Sequence, residues 1–258
     1  MSELEAIYAI WLREVRVYLR ERERVISSFI SPILWLVAFG SGVGASVSLQ
    51  GSQYQGISYQ VFIYPGVLSM ALLMTSIFYG VYIIWDRKLD FLKEVLVAPV
   101  SRSSVFLGKM LGGCTDVMLQ SLILLILGIL IGMPVTPLVF LYSLLILFLI
   151  SVAMVSLGLV MGSNLTNQEA FGLVMNFVVW PLFFFSGALF QVSSLPDWLK
   201  FITYLDPLTY GVDVLRGAML GTQVQSFPTY LDFSVLIVFS LVMMWLGTIS
   251  FGRMQQSK

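Results

Sequence analysis

The chain has 258 residues, 58% of them hydrophobic and only 11% charged, with a formal net charge of zero and a mean hydropathy of +0.92. Soluble domains carry about 25% charged residues, so most of this chain has lipid as its solvent, and its total charge points to no nucleic-acid partner. With no histidine and a single cysteine, Cys114, it lacks the commonest general base and metal ligand and cannot form an intrachain disulfide or a thiolate metal cluster.

The basic residues are unevenly placed. Arg13, Arg16, Arg20, Arg22 and Arg24 precede the first long apolar run; Arg87, Lys88, Lys93, Arg102 and Lys109 follow the second; Arg253 and Lys258 close the chain. Elsewhere only Lys200 and Arg216 are basic. Positive loops stay in the cytoplasm, so the pattern predicts a polytopic, multi-pass protein of the plasma membrane with both ends inside. A cleaved leader ending near Ala45 is a competing reading, but the charged region before the run is far longer than a leader's.

In chain order, residues 3–24 carry an apolar stripe of Leu4, Ile7, Tyr8, Trp11, Val15, Tyr18 and Leu19 at spacings of three and four, with Arg13 and Glu14 facing elsewhere. This predicts an amphipathic helix on the inner membrane surface, either a plain anchor or an element that also touches a cytoplasmic partner. Spans follow over about 25–47 and 61–85, then a cytoplasmic segment, 86–104. The third span covers about 111–132, the turn Met133-Pro-Val-Thr-Pro137 stops helices on both sides, and the fourth covers 138–162. The fifth covers 169–190, broken near its middle by Pro181, and the last 230–251. Residues 191–228 are too polar to span, and Pro196 and Pro207 stand where short helices would begin, at or dipping into the outer interface. The expected fold is therefore all-α: six transmembrane helices, no internal repeat, one domain over residues 1–258.

The most specific local feature is 86–102. Leu89, Leu92, Val95 and Leu96 recur at helical spacing and Pro99 bounds them. Such a peg either enters a groove on a cytosolic protein or lies passively on lipid, and pattern alone leaves both open. Its run Phe91-Leu-Lys-Glu-Val-Leu-Val-Ala-Pro-Val-Ser-Arg102 resembles the loop after the second span of ABC-2 type permeases, the membrane subunits of ABC exporters, with Ala98 for the usual threonine and Lys93-Glu94 for a Glu-Gln pair. Ser186-Gly-Ala-Leu-Phe190, Leu195-Pro-Asp-Trp-Leu199 and Asp206-Pro-Leu-Thr-Tyr-Gly-Val-Asp-Val-Leu-Arg216 resemble that family's outer signature, with Gln191 replacing a proline and Asp206 an asparagine.

The resemblance covers essentially the whole chain and implies a specific machine. Two permeases, identical or not, would form the pathway, and separate ATPase subunits carrying ATP and Mg would dock on the cytoplasmic side. Leu89, Phe91, Leu92, Glu94, Val95, Leu96, Pro99 and Arg102 would form the coupling helix. Gly187, Phe190, Pro196, Trp198, Asp206, Pro207, Tyr210, Asp213 and Arg216 would build the outer gate of re-entrant helices. Spans two and five would line the pathway, with Phe78, Trp180, Pro181 and Phe184 as cargo-facing candidates. No cofactor or metal is expected on this chain itself; Gly108-Lys109 lacks the upstream glycine and following hydroxyl of a phosphate loop.

Three further positions carry expectations. Thr166-x-x-Glu169 reads as a capping box rather than a functional charge. Asp116, inside the third span, is expected to pair along its helix with Lys109 and Gln120 rather than relay protons. Pro181 permits a hinge. Nearly uncharged spans favour hydrophobic or amphipathic cargo, drug-like molecules or lipids first and lipid-linked polysaccharide second. A non-transporting module that keeps the permease fold is the third reading, and an intramembrane enzyme lacks the residues it would need.

Overall fold

A computed structural model of the chain describes residues 2–43, 56–89, 100–130 and 132–254. Every described secondary-structure element is a helix. The first, α1 (Glu3–Arg20), opens with a capping box in which the Ser2 side chain accepts from the Glu5 amide and Glu5 accepts from the Ser2 amide. Next, α2 (Arg22–Val37) carries Pro32 and continues into the π-helical turn Ala38–Val43. After it come α3 (Tyr59–Phe78) and α4 (Val81–Lys88), separated by Tyr79 and Gly80.

Three long helices follow: α5 (Arg102–Leu130), α6 (Pro137–Asn164) and α7 (Gln168–Phe185). Thr136 caps α6 ahead of Pro137, and Asn167 caps α7 by accepting from the Ala170 amide at 2.7 Å. The cap of α7 is therefore Asn167, one residue later than the expected Thr166–Glu169 box, and Glu169 is exposed. Two short helices, α8 (Asp197–Leu205) and α9 (Pro207–Leu220), precede α10 (Thr229–Arg253).

Among the described residues five helical stretches are long and apolar enough to cross a membrane: Tyr59–Lys88, Arg102–Leu130, Pro137–Asn164, Gln168–Phe185 and Thr229–Arg253. Short connections make α5, α6 and α7 successively antiparallel, so the molecule has two ends. One gathers α1, α4 and the start of α5; the other gathers residues 56–60, 132–136, α8 and α9. The α3–α4 stretch is the most enclosed of the five, and α7 and α10 are the least. Around α3 pack α2, α5, α6, α7 and α9.

Two expectations change here. The fifth span ends at Phe185 rather than 190, because Ser186 and Gly187 turn the chain, Gly187 with φ of 70°. Pro181 does not break α7, which runs continuously through it. Of the two short helices only α8 is peripheral, with Trp198, Phe201 and Leu205 exposed. By contrast α9 is almost wholly buried and packs on α3, α6 and α10.

Candidate coupling and gating sites

Of the coupling residues, Phe91, Leu92, Glu94, Val95, Leu96 and Pro99 lie outside the described residues. Leu89 ends α4 and is 78% exposed, while Arg102 begins α5. What the structure describes is how the two sides of this loop are held.

Asp86 on α4 and Lys109 on α5 are both buried and ion-paired. The Lys109 Nζ also donates to Glu14 Oε1 of α1 at 2.9 Å, and Arg13 bridges Glu14 and Asp86 at 2.6 and 3.2 Å. The Tyr79 hydroxyl donates to Glu14 Oε2 at 2.8 Å. Two cations and two carboxylates thus neutralise one another where α1, α4 and α5 meet. Removing charge from water is costly unless it is paired and hydrogen-bonded, as it is here. Burial by itself would push the Glu14 carboxyl up; Lys109, Arg13 and the Tyr79 hydroxyl outweigh it and hold the group below its usual range.

The packing that permits this is glycine-based. A methyl group on Gly108 would meet Ile10 at 2.8 Å, and one on Gly112 would meet the Glu14 Cβ at 2.5 Å, so α1 lies directly against α5. Its buried residues are Ala6, Glu14 and Tyr18, with Ile10 half-buried; of the expected stripe Tyr18 is buried, Ile7, Trp11 and Val15 are half-buried, and Leu4, Tyr8 and Leu19 are exposed. Lys109 likewise pairs with Glu14 and Asp86, where the sequence suggested Asp116; Asp116 and Gln120 are buried further along α5. Beyond the loop, Glu3 accepts from the Ser101 hydroxyl at 2.7 Å and from the Ser104 hydroxyl, which keeps its carboxyl below the ordinary range. Arg87 donates to the carbonyls of Gly162 and Leu165, tying α4 to the end of α6.

At the opposite end, the predicted gate residues meet around the turn after α7. Arg216 Nη2 donates to the carbonyls of Gly187 and Ala188 at 2.9 and 3.3 Å, and its guanidinium lies 4.0 Å over the Phe62 ring. Gly66 of α3 abuts the Ala188 backbone so closely that a Cβ there would collide with it. Asp206 caps α9 through the Leu208 amide at 2.8 Å, and Pro207 follows at the first helical position. Asp213 accepts from the Ser226 and Phe227 amides at 2.9–3.0 Å. The Tyr210 hydroxyl donates to the Tyr204 carbonyl at 2.8 Å, fixing α8 to α9. Pro196 and Trp198 sit apart from this knot on the exposed α8 side, and Phe190 is half-buried.

Of the pathway candidates, Trp180 and Phe184 stack at 5.7 Å, and Phe184 is 44% exposed. Pro181 lies between them, exposed on the α7 surface. The cluster also takes in residues that sequence reasoning missed: Trp35 of α2 contacts Trp180, buried Phe183 and Phe39. Phe78 is not part of it. It lies twelve residues along α3 from Gly66, about 18 Å at helical rise, toward the charged end.

A sequence profile described as ABC-2 type transporter matches residues 5–220. The chain is 28% identical to the ycf38 protein of Cyanophora paradoxa over 78% of this chain and 70% of that one. It is 25% identical to nodulation protein J of Rhizobium leguminosarum bv. viciae, over 91% and 89% of the two chains. It is also 25% identical to the inner membrane transport permease YadH of Escherichia coli K12, over 91% and 90%.

Proposed function

The chain belongs to the ABC-2 type transporter family and is a multi-pass membrane protein; from that premise we propose that it is the membrane subunit of an ATP-driven exporter. A separate ABC ATPase supplies ATP and Mg, and two permease copies form the pathway. The cargo is hydrophobic or amphipathic, since the spans offer few charges at depth from which to build an ion path. The helical stretch 22–43 is the remaining span, which makes six, with both termini on the cytoplasmic side. In this reading α8 lies in the outer interface and α9 is the re-entrant helix of the gate.

The observation that carries the reading is the clamp around residues 90–99. Residues 90–99 follow α4, which carries Asp86, and precede α5, which carries Lys109; Lys109 is paired both with Asp86 and with Glu14 of α1. A force applied by an ATPase to that loop therefore acts on α1, α4 and α5 together. From α4 it reaches α3, the central helix. Alternating access then follows if the ATP-bound partner favours one arrangement of these helices over the other.

Leu92→Asp and Leu96→Asp test the coupling assignment directly. Both are expected to abolish co-purification of the ATPase while the permease remains folded in the membrane. Undiminished docking of both variants would remove the loop from the coupling role.

A further inference from the structure

A groove of about 300 Å³ runs between α2, α3 and α5, toward the end of the molecule away from α1. Leu36 and Val37, Val67 and Leu68, and Leu124 and Leu127 form its walls. Tyr64 also lines it, but its hydroxyl is taken up by the Leu124 carbonyl. That contact depends on Gly128, where any side chain would strike the Tyr64 ring. What Tyr64 leaves to the groove is therefore hydrocarbon. Gln60, one turn nearer the start of α3, is the polar group at one end of the lining.

We infer that this groove seats one acyl chain of a bilayer phospholipid, with its headgroup at the Gln60 end. Its mouth lies in lipid-facing surface: Ile33 and Val37 of α2 are 42% and 56% exposed. Water gains nothing there, because a buried water needs two to four polar partners and apolar cavities stay dry. The walls are aliphatic side chains together with the Tyr64 ring, which matches the hydrocarbon of an acyl chain. Among the described residues no charged side chain lines it to fix a headgroup inside. The polar part of the ligand must therefore lie beyond Gln60, where α3 reaches the membrane boundary. The seat lies where α3 meets α2 and α5. This inference rests on membrane placement and is independent of the transport reading.

The test reconstitutes the full chain in phosphatidylethanolamine–phosphatidylglycerol vesicles containing a trace of phosphatidylcholine with a photoreactive acyl chain. Adducts are mapped by mass spectrometry. Labelling of the α3 and α5 walls is expected to exceed severalfold that of the lipid-facing Ile237, Val238 and Leu241 on α10. Val67→Phe and Leu127→Phe should lower groove labelling, and Val238→Phe should leave it unchanged. Should the bulky variants fail to fold, the ratio between the two faces of the unaltered chain decides. Equal labelling of both faces overturns the proposal, as does groove labelling that survives both substitutions. A groove that becomes labelled only when each vesicle holds one copy also overturns it, because a second copy then covers the site.

Discussion

Lys109 is the residue through which α1, α4 and α5 are held together. On the α5 sequence its nearest carboxylate partner is Asp116, yet its ammonium reaches Glu14 and Asp86, 95 and 23 residues away. Helical spacing reports neighbours on one element only; that Gly108 and Gly112 admit α1 against α5 is a tertiary fact. Lys109→Met leaves Glu14 and Asp86 buried with only Arg13 to balance them. Breaking such a buried pair costs about 3–5 kcal/mol, which is expected as a marked drop in thermal unfolding temperature in detergent. Glu14 also sets a pH dependence. Its carboxyl is held low in the folded state, so its stabilisation is complete above the ordinary glutamate pKa of about 4.3 and fades as pH falls through the lowered folded value. Glu14→Gln should flatten the acid limb of a plot of unfolding temperature against pH; an unchanged limb would assign acid sensitivity to other groups.

At the scale of elements, the boundaries of α6 and α10 were legible, because long apolar runs framed by Pro137 and Pro228 leave little choice. The break within the second span was not. Gly80 amide donates to Ile77 and Tyr82 to Tyr79, both three residues back, so the chain tightens between α3 and α4. There Gly80 meets Gly158 and Gly162 of α6 backbone to backbone, with no room for a Cβ. The Gly158/Gly162 pair was visible in the sequence as a weak packing signal among 21 glycines; its partner Gly80 carried no spacing of its own to reveal it. Gly80→Ala forces α4 away from α6 and is expected to cost about 1–3 kcal/mol, the range for overpacking a tight contact. Gly252→Ala, which meets nothing within 4 Å, should leave unfolding unchanged. The outer segment divides on the same principle: proline placement located α8 and α9, but burial of α9 depends on Arg216 and Asp213 finding backbone partners in other segments.

For the whole molecule, composition and the placement of basic residues were enough to indicate a membrane protein, and two short motifs were enough to indicate its family. The arrangement of helices was less accessible. That α3 forms the centre, with α7 and α10 largely uncovered, depends on which apolar faces meet, and helices that are apolar all round carry little periodic signal to say so. The α7 surface around Phe177 and Phe184 is uncovered, the two residues being 79% and 44% exposed. The central claim is that this chain moves cargo with energy from a separate ATPase. It is tested most directly by co-purifying the permease with the ABC ATPase encoded nearest to its gene and measuring vanadate-sensitive ATP hydrolysis in lipid vesicles. A stable complex of two permeases with two ATPases, with hydrolysis stimulated by amphipathic compounds, is expected. Well-folded permease that neither binds the ATPase nor supports hydrolysis would contradict it and favour a membrane module that keeps the fold without transport.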